Sequence, residues 1–341
     1  MMKWSFFYIL FLIVVGCENT EEPIIETKNV TLGSLGLVGN TKDVEVETTS
    51  GIVLMGGGKD VDKAIQWMIN KSGGGDFKII RATGTNAYNR YVHNLAEVNS
   101  VETLLIDSRD LANNDEINKK ILEAEAIFIA GGNQADYTKF WSNTALEETL
   151  QYLIEEKKIP IGGTSAGCAI LGQYIFDAIQ GTVYSDEAMN DPFINYVSLQ
   201  ENKIMQLPTL KGVITDTHYD NPDRIGRHLI FLARIKKDFN TNAKGIGIQE
   251  ETAVCIEADG TAKVFGKGNA FFIKPFEHSL IPEILERGQP LTWGKEKSAI
   301  NSVVIREIEG EYLDLNNWDN YQSSLVQSIS IIDGKLEVKN E

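Results

Sequence analysis

Positive charge is scarce in this 341-residue chain: 32 Lys and Arg stand against 48 Asp and Glu, for a formal net charge of −16 at pH 7. Proteins that track phosphate backbones need a basic surface to displace counterions, so nucleic acid is excluded as a partner. Cysteine is also rare. Its three copies are too few for a disulfide framework, and Cys168 and Cys255 sit in apolar stretches as small buried hydrophobes. Histidine occurs four times, at His93, His218, His228 and His278, which limits the choice of a general base and supplies no cluster with zinc-like spacing. No metal or organic cofactor is expected. Repeats and low-complexity tracts are absent, whereas 43% hydrophobic and 9% aromatic residues are ample for a packed core.

A sustained apolar run occurs at Trp4–Val15, behind Lys3. It is too short to cross a bilayer as a mature helix and has the proportions of a signal-peptide core. The residues that follow, Val14-Val15-Gly16-Cys17, resemble the lipobox of bacterial lipoproteins. Residues 1–16 are therefore expected to be removed and Cys17 to carry the lipid. Stable anchoring needs more than one acyl chain, which that modification supplies. The expected location is the cell envelope, with the membrane as a partner through the N-terminal lipid. Residues 17–50 are polar and acidic and read as a tether, with a strand near Asp43–Glu47.

From residue 51 the texture changes. Apolar runs at Ile52–Met55, Phe77–Ala82, Val101–Ile106, Ala126–Ala130 and Ile159–Gly163 alternate with segments of helical spacing. Such alternation implies βαβ units with right-handed crossovers, hence an α/β fold with a doubly wound, mostly parallel sheet. Ligands bind such sheets beyond the carboxyl ends of the strands, where Gly56–Gly58, Gly131–Gln134 and Ser165 all fall. Gln180–Leu210 reads as an irregular excursion. Val213–Thr215 is expected as a strand leading to His218, and Asn221–Lys237 as a helix opened by Pro222. Gly245–Ile248, Ala253–Glu257 and Ala262–Phe265 read as further strands, the last two joined at Ala258-Asp259-Gly260. These limits give a catalytic domain at 51–275 and a less regular C-terminal extension at 276–341, with extra strands.

Gly163-Thr164-Ser165-Ala166-Gly167 matches G-x-S-x-G, a pattern that chance produces in about one chain in ten of this length. Its setting adds weight, with an apolar strand before it and Cys168-Ala169-Ile170-Leu171 continuing as helix. Such a turn holds its nucleophile in a strained conformation and aims helix N-terminal amides at a developing oxyanion. The amide of Ala166 is the first donor, and the Gly131-Gly132-Asn133 turn can supply a second. Serine needs a base, and His218 lies at the strand edge that also carries the serine. An orienting carboxylate is required too, for which Glu250, Glu251 and Asp216 are all candidates. An ordinary esterase arrangement would instead draw its acid from Asp186 or Asp191, upstream of the histidine.

Five motifs in order, Met55-Gly56-Gly57-Gly58, Ala130-Gly131-Gly132-Asn133-Gln134, Gly163-Thr164-Ser165-Ala166-Gly167, Asp216-Thr217-His218-Tyr219 and Gly245-Ile246-Gly247-Ile248-Gln249-Glu250, resemble the cyanophycinases. These serine peptidases are grouped with aspartyl dipeptidases. The resemblance runs over roughly Gly51 to Ile273 and implies a fold related to class I glutamine amidotransferases. It implies a triad of Ser165, His218 and Glu250, an oxyanion hole at Gly132 and Ala166, and a substrate pocket at Gln134, Asp216, Thr217, Arg224 and Arg227. The implied reaction is exopeptidase hydrolysis of β-aspartyl linkages through an acyl-enzyme. Two positions depart from the family pattern: Thr217 replaces a glutamine, and Pro222 an arginine. The partners expected are a peptide or dipeptide-polymer substrate and a second copy in a homodimer. The competing expectation is a catalytically silent lipoprotein that keeps the fold as a ligand pocket.

Overall fold

Five of the apolar runs become the parallel centre of a sheet. A computed structural model describes residues 32–341 together with the short strand Glu26–Thr27. The expected signal peptide and Cys17 lie outside the described residues. At the centre, Ser100–Leu105, Asp76–Arg81, Ala126–Ile129, Pro160–Thr164 and Gly51–Met55 lie side by side in that order, each parallel to its neighbours. Both faces of these strands are buried, which explains why they read as continuous apolar runs rather than alternating ones. Ile52 and Leu54 enter one core with Ile117, Leu146 and Leu150, while Val53 and Met55 enter another with Ile65 and Met68 of the helix Asp62–Lys71.

The sheet is mixed, not mostly parallel. Ser34–Gly39 and then Glu26–Thr27 add antiparallel at one edge, and Thr252–Glu257, Thr261–Gly266, Tyr312–Asp314 and Asn317–Gln322 add antiparallel at the other, for eleven strands among the described residues. Short connections enforce this pairing, as in the turn where Asp259 Oδ1 accepts from Thr261 N at 2.9 Å. A second sheet of eight strands was not foreseen. Its three parallel strands are Tyr174–Phe176, Val213–Asp216 and Lys244–Ile248, the last two joined by the helix Ile225–Phe239, and antiparallel strands flank the three. Ile246, Ile248 and Phe272 of this sheet enter the same core as Ile52 and Leu54 of the first.

Several boundaries shift. The tether's strand is Ser34–Gly39, and residues 43–47 form none: Val44 N is held instead by Asp76 Oδ2 at 3.2 Å. The helix expected from Asn221 starts at Ile225, because residues 218–224 form a hydrogen-bonded turn with Asn221 N on His218 O and Arg224 N on Tyr219 O. Gln180–Leu210 contains the helix Ser185–Asn190 and the strand Leu199–Glu201. Residues 276–341 are more regular than expected. Ile300–Ile305, Leu325–Ile332 and Lys335–Asn340 extend the second sheet, and the other two C-terminal strands extend the first. The C-terminal segment is thus built into the fold. Trp318, 4% exposed on the first sheet, meets Phe272 of the second edge-to-face at 5.9 Å.

Trp318→Ala should lower the unfolding free energy by about 3–5 kcal/mol, measured by urea denaturation, because it opens a cavity where the two sheets meet.

Candidate active site

The strand Pro160–Thr164 ends at Ser165, whose φ of 51° and ψ of −121° leave the ordinary regions before the helix Ala166–Ala169 begins. Such a conformation costs about 1–3 kcal/mol and persists only when its surroundings enforce it. Here Ser165 N donates to Met55 O at 3.1 Å, and Ala169 N donates to Ser165 O at 2.9 Å. Gly163 and Gly167 have no room for a side chain: a Cβ on Gly163 would lie 2.6 Å from the Gly167 carbonyl carbon, and one on Gly167 would overlap Ile129 O.

Ser165 Oγ lies 2.7 Å from His218 Nε2, and His218 Nδ1 lies 2.6 Å from Glu250 Oε1. The serine comes from the first sheet, while the histidine and glutamate follow adjacent parallel strands of the second. The sequence placed all three at strand ends but not at a junction between two sheets. Glu251, the competing acid, turns away and pairs with Lys267 at 2.5 Å. Asp186 and Asp191 stay with the helix Ser185–Asn190, where Asp191 Oδ1 accepts from Phe193 N and Gly288 N. The hydrogen bond from His218, joined by one from Asn221 Nδ2 at 3.1 Å, holds the Glu250 carboxyl below its usual range. Asp220 Oδ1 accepts from Glu250 N at 3.0 Å. The sequence reading missed Asn221 and Asp220. Their closeness to His218 in the chain was the available signal.

The loop Gly56–Gly58 runs between these groups. Gly56 O accepts from His218 N at 2.7 Å, Gly57 O from Glu251 N at 2.9 Å, and Gly56 N donates to Thr252 O at 3.0 Å. A Cβ on Gly56 would overlap Gln249 O, one on Gly57 would lie 2.5 Å from His218 Nε2, and one on Gly58 would lie 3.1 Å from Glu250 Cβ. Close approach requires glycine at positions 56 and 57, and Gly58, at φ 72°, holds a left-handed backbone that favours glycine.

On the oxyanion side, Ala166 opens its helix, so its amide has no partner within it. The Gly131–Gly132 turn faces the serine through Gly131, whose Cβ would lie 3.4 Å from Ser165 Cβ. A Cβ on Gly132, the residue expected from sequence, would lie 3.1 Å from Tyr137 Oη and 3.3 Å from Thr83 Oγ1.

The expected substrate pocket divides in two. Asp216 and Arg227 are buried and bind each other, Arg227 Nε to Oδ2 at 2.8 Å and Nη2 to Oδ1 at 2.5 Å. Arg227 Nη1 reaches Thr182 Oγ1 and Val183 O, and the guanidinium packs over the rings of Phe176 and Phe231. Burial works to raise the Asp216 pKa, and the Arg227 charge overcomes this and holds it below the usual range. Thr217 is also buried, and its amide donates to Asp216 Oδ1 at 2.9 Å. These three residues satisfy one another in the interior. Arg224 and Gln134 are half-buried. Arg224 Nη1 donates to Thr217 O at 2.9 Å, and Gln134 Nε2 donates to Phe176 O at 2.7 Å.

The other histidines stand apart from this group. His278 Nε2 lies 3.0 Å from Ser298 O, and His93 lies beside Gly39. His228 is buried between Tyr219 Oη and Ile214 O, and burial pushes its pKa down to about 4. Among the described residues no group of three His, Cys, Asp or Glu is arranged to hold a metal ion.

The pattern of peptidase family S51 matches residues 48–264, the span that carries every residue of this site. The chain belongs to peptidase family S51. It is 30% identical over 178 residues to a cyanophycinase of Synechococcus elongatus, covering 52% of this chain and 50% of that one. It is 28% identical over 207 residues to a cyanophycinase of Trichormus variabilis, covering 60% and 64%. The chain thus spans about half the length of the first of these relatives. The crystal structure of a peptidase from an acI-B1 Actinobacterium aligns with 66% of this chain and 91% of its own, at a TM-score of 0.49 and 17% identity.

Two outcomes follow for this S51 chain. Gly57→Ala should displace the His218 ring and lower turnover at least 100-fold, measured beside a circular-dichroism melt showing a retained fold. His228 stays neutral in the folded state while its unfolded counterpart takes up a proton below about pH 6.5. The unfolded chain therefore binds more protons between about pH 6.5 and 4, and stability falls through that window as pH falls, by about 3 kcal/mol. Urea unfolding at pH 7 and pH 4.5 should show a smaller pH dependence in His228→Gln than in the parent.

Proposed function

We propose that this chain is a serine peptidase that cleaves β-aspartyl linkages, with Ser165 as nucleophile, His218 as general base and Glu250 as its orienting acid. The observation that carries this reading is the continuous relay of 2.7 Å and 2.6 Å from Ser165 Oγ through His218 to Glu250 Oε1. His218 Nε2 takes the hydroxyl proton as Ser165 Oγ bonds to the substrate carbonyl carbon. The tetrahedral adduct then collapses, the C–N bond breaks, and His218 returns that proton to the leaving amine. Water attacks the acyl-serine by the same proton path and frees the acid. Glu250 stays ionised throughout, holding the imidazole in the tautomer that accepts from serine.

Similarity to the cyanophycinases supports a β-aspartyl substrate, and cyanophycin is one candidate. With Asp216 and Arg227 closed on each other, recognition of a substrate carboxylate falls to the half-buried Arg224, whose planar guanidinium suits paired hydrogen bonds to carboxylate. A relation to the class I glutamine amidotransferases agrees with a nucleophile on a strand-to-helix turn at the carboxyl end of an inner strand of the five-strand parallel centre.

The experiment combines active-site labelling with a substrate panel. A fluorophosphonate should modify Ser165 in the folded chain, and mass analysis of a panel of β-aspartyl dipeptides and cyanophycin should show cleavage products. Glu250→Gln should lower turnover by about 100-fold or more, while Glu251→Gln stays within about twofold. Absence of both adduct and cleavage would leave a ligand-binding protein, and the opposite ranking of the two variants would reassign the acid.

A further inference from the structure

The carbonyls that precede the Gly131 and Gly132 amides are both held by one buried side chain. Tyr137 belongs to the helix Gln134–Trp141 and is fully buried. Its hydroxyl donates to Ala130 O at 2.7 Å and lies 3.2 Å from Gly131 O. The ring is fixed against Trp141 at a centroid distance of 4.4 Å, and Trp141 Nε1 is itself tied to Ile106 O at 2.8 Å. In a planar trans peptide the C=O and the following N–H point in opposite directions. A hydroxyl whose one proton goes to the Ala130 carbonyl and is shared more weakly with that of Gly131 therefore turns the amides of Gly131 and Gly132 away from the tyrosine. Neither amide meets a backbone acceptor among the described residues. The Gly131 α-carbon, meanwhile, stands against the serine, with its missing Cβ 3.4 Å from Ser165 Cβ and 3.9 Å from Ser165 Oγ.

We propose that Tyr137 is a positioning residue for the oxyanion hole: its hydroxyl orients the Gly131 and Gly132 amides toward the oxygen that develops charge when Ser165 attacks. This rests on the assignment of Ser165 as nucleophile. Preorganised donors are effective because they need no reorientation as charge appears, and two adjacent glycine peptides would otherwise be free to turn. Gly132 is the residue that lets the hydroxyl come close, since a Cβ there would lie 3.1 Å from Tyr137 Oη. Burial pushes the phenol pKa up, so the group stays a donor across the pH range in which a histidine base works.

Tyr137→Phe keeps the ring and removes only the donor. In chain whose Ser165 has first been shown to take a fluorophosphonate, the variant should lose about 10- to 100-fold in kcat with KM within about twofold. Its affinity for a β-aspartyl-like boronic acid, which forms a tetrahedral adduct on serine, should fall by the same factor. Binding of uncleaved substrate, compared in a Ser165→Ala background with and without Tyr137→Phe, should not change. A folded Tyr137→Phe with parental kcat overturns the proposal, as does a kcat loss that leaves boronic-acid affinity intact. Should Tyr137→Phe fail to fold, Gly132→Ala, which crowds the hydroxyl without removing the ring, is expected to show the same loss in kcat and boronic-acid affinity; parental values there overturn the proposal equally. Failure of the parent chain to take the label would instead defeat the peptidase reading.

Discussion

The site depends on a close approach between backbones at Gly56–Gly58. Two sheets meet there, and the loop hydrogen-bonds to the segments carrying His218 and Glu250 while leaving no room for a Cβ at Gly56 or Gly57. The strand that runs into this loop, Gly51–Met55, pairs in parallel with the serine's strand, and Met55 O accepts from Ser165 N. One short segment thus touches the backbones of Ser165 and His218 and the edge of Glu250. Its geometry sets the distances among all three, and a rigid scaffold of this kind is what positioning catalysis requires.

The buried Asp216–Arg227 pair adds to that rigidity. Removing two charges from water is unfavourable unless geometry and further hydrogen bonds offset it, and here both carboxylate oxygens and three guanidinium nitrogens are engaged. Asp216 ends the strand Val213–Asp216, two residues before His218, so the pair fixes the direction in which the chain leaves the sheet. The same closure pairs two residues that motif resemblance had assigned to the substrate pocket. A side chain's motif position records where the backbone goes, and its role depends on which partner lies nearest when the chain packs.

Much of this was legible in advance because it arises from local pattern. The five parallel strands showed as continuous apolar runs, since both of their faces are buried. The serine turn showed as small residues between a strand and a helix, and four histidines left few choices of base. The second sheet was not legible: Val213–Asp216 and Lys244–Ile248 have the same apolar texture as the strands of the first, and nothing local says which neighbour a strand will take. The C-terminal strands were obscured for a similar reason. Asn317–Gln322 reads as polar because only Trp318 along it is buried, and that side chain gains its meaning from Phe272 across the interface.

By itself the sequence determined the alternation of the five parallel strands with helices, the serine's turn, the shortlist of bases and the three candidate acids, because each follows from residue type and spacing along one segment. Tertiary structure alone set Glu250 rather than Glu251 beside His218, turned Asp216 and Arg227 inward, brought Asn221 to Glu250, and placed Gly131 beside Ser165. Those outcomes depend on distances between segments far apart in the chain, and such distances are set by how two sheets pack across one loop of glycines.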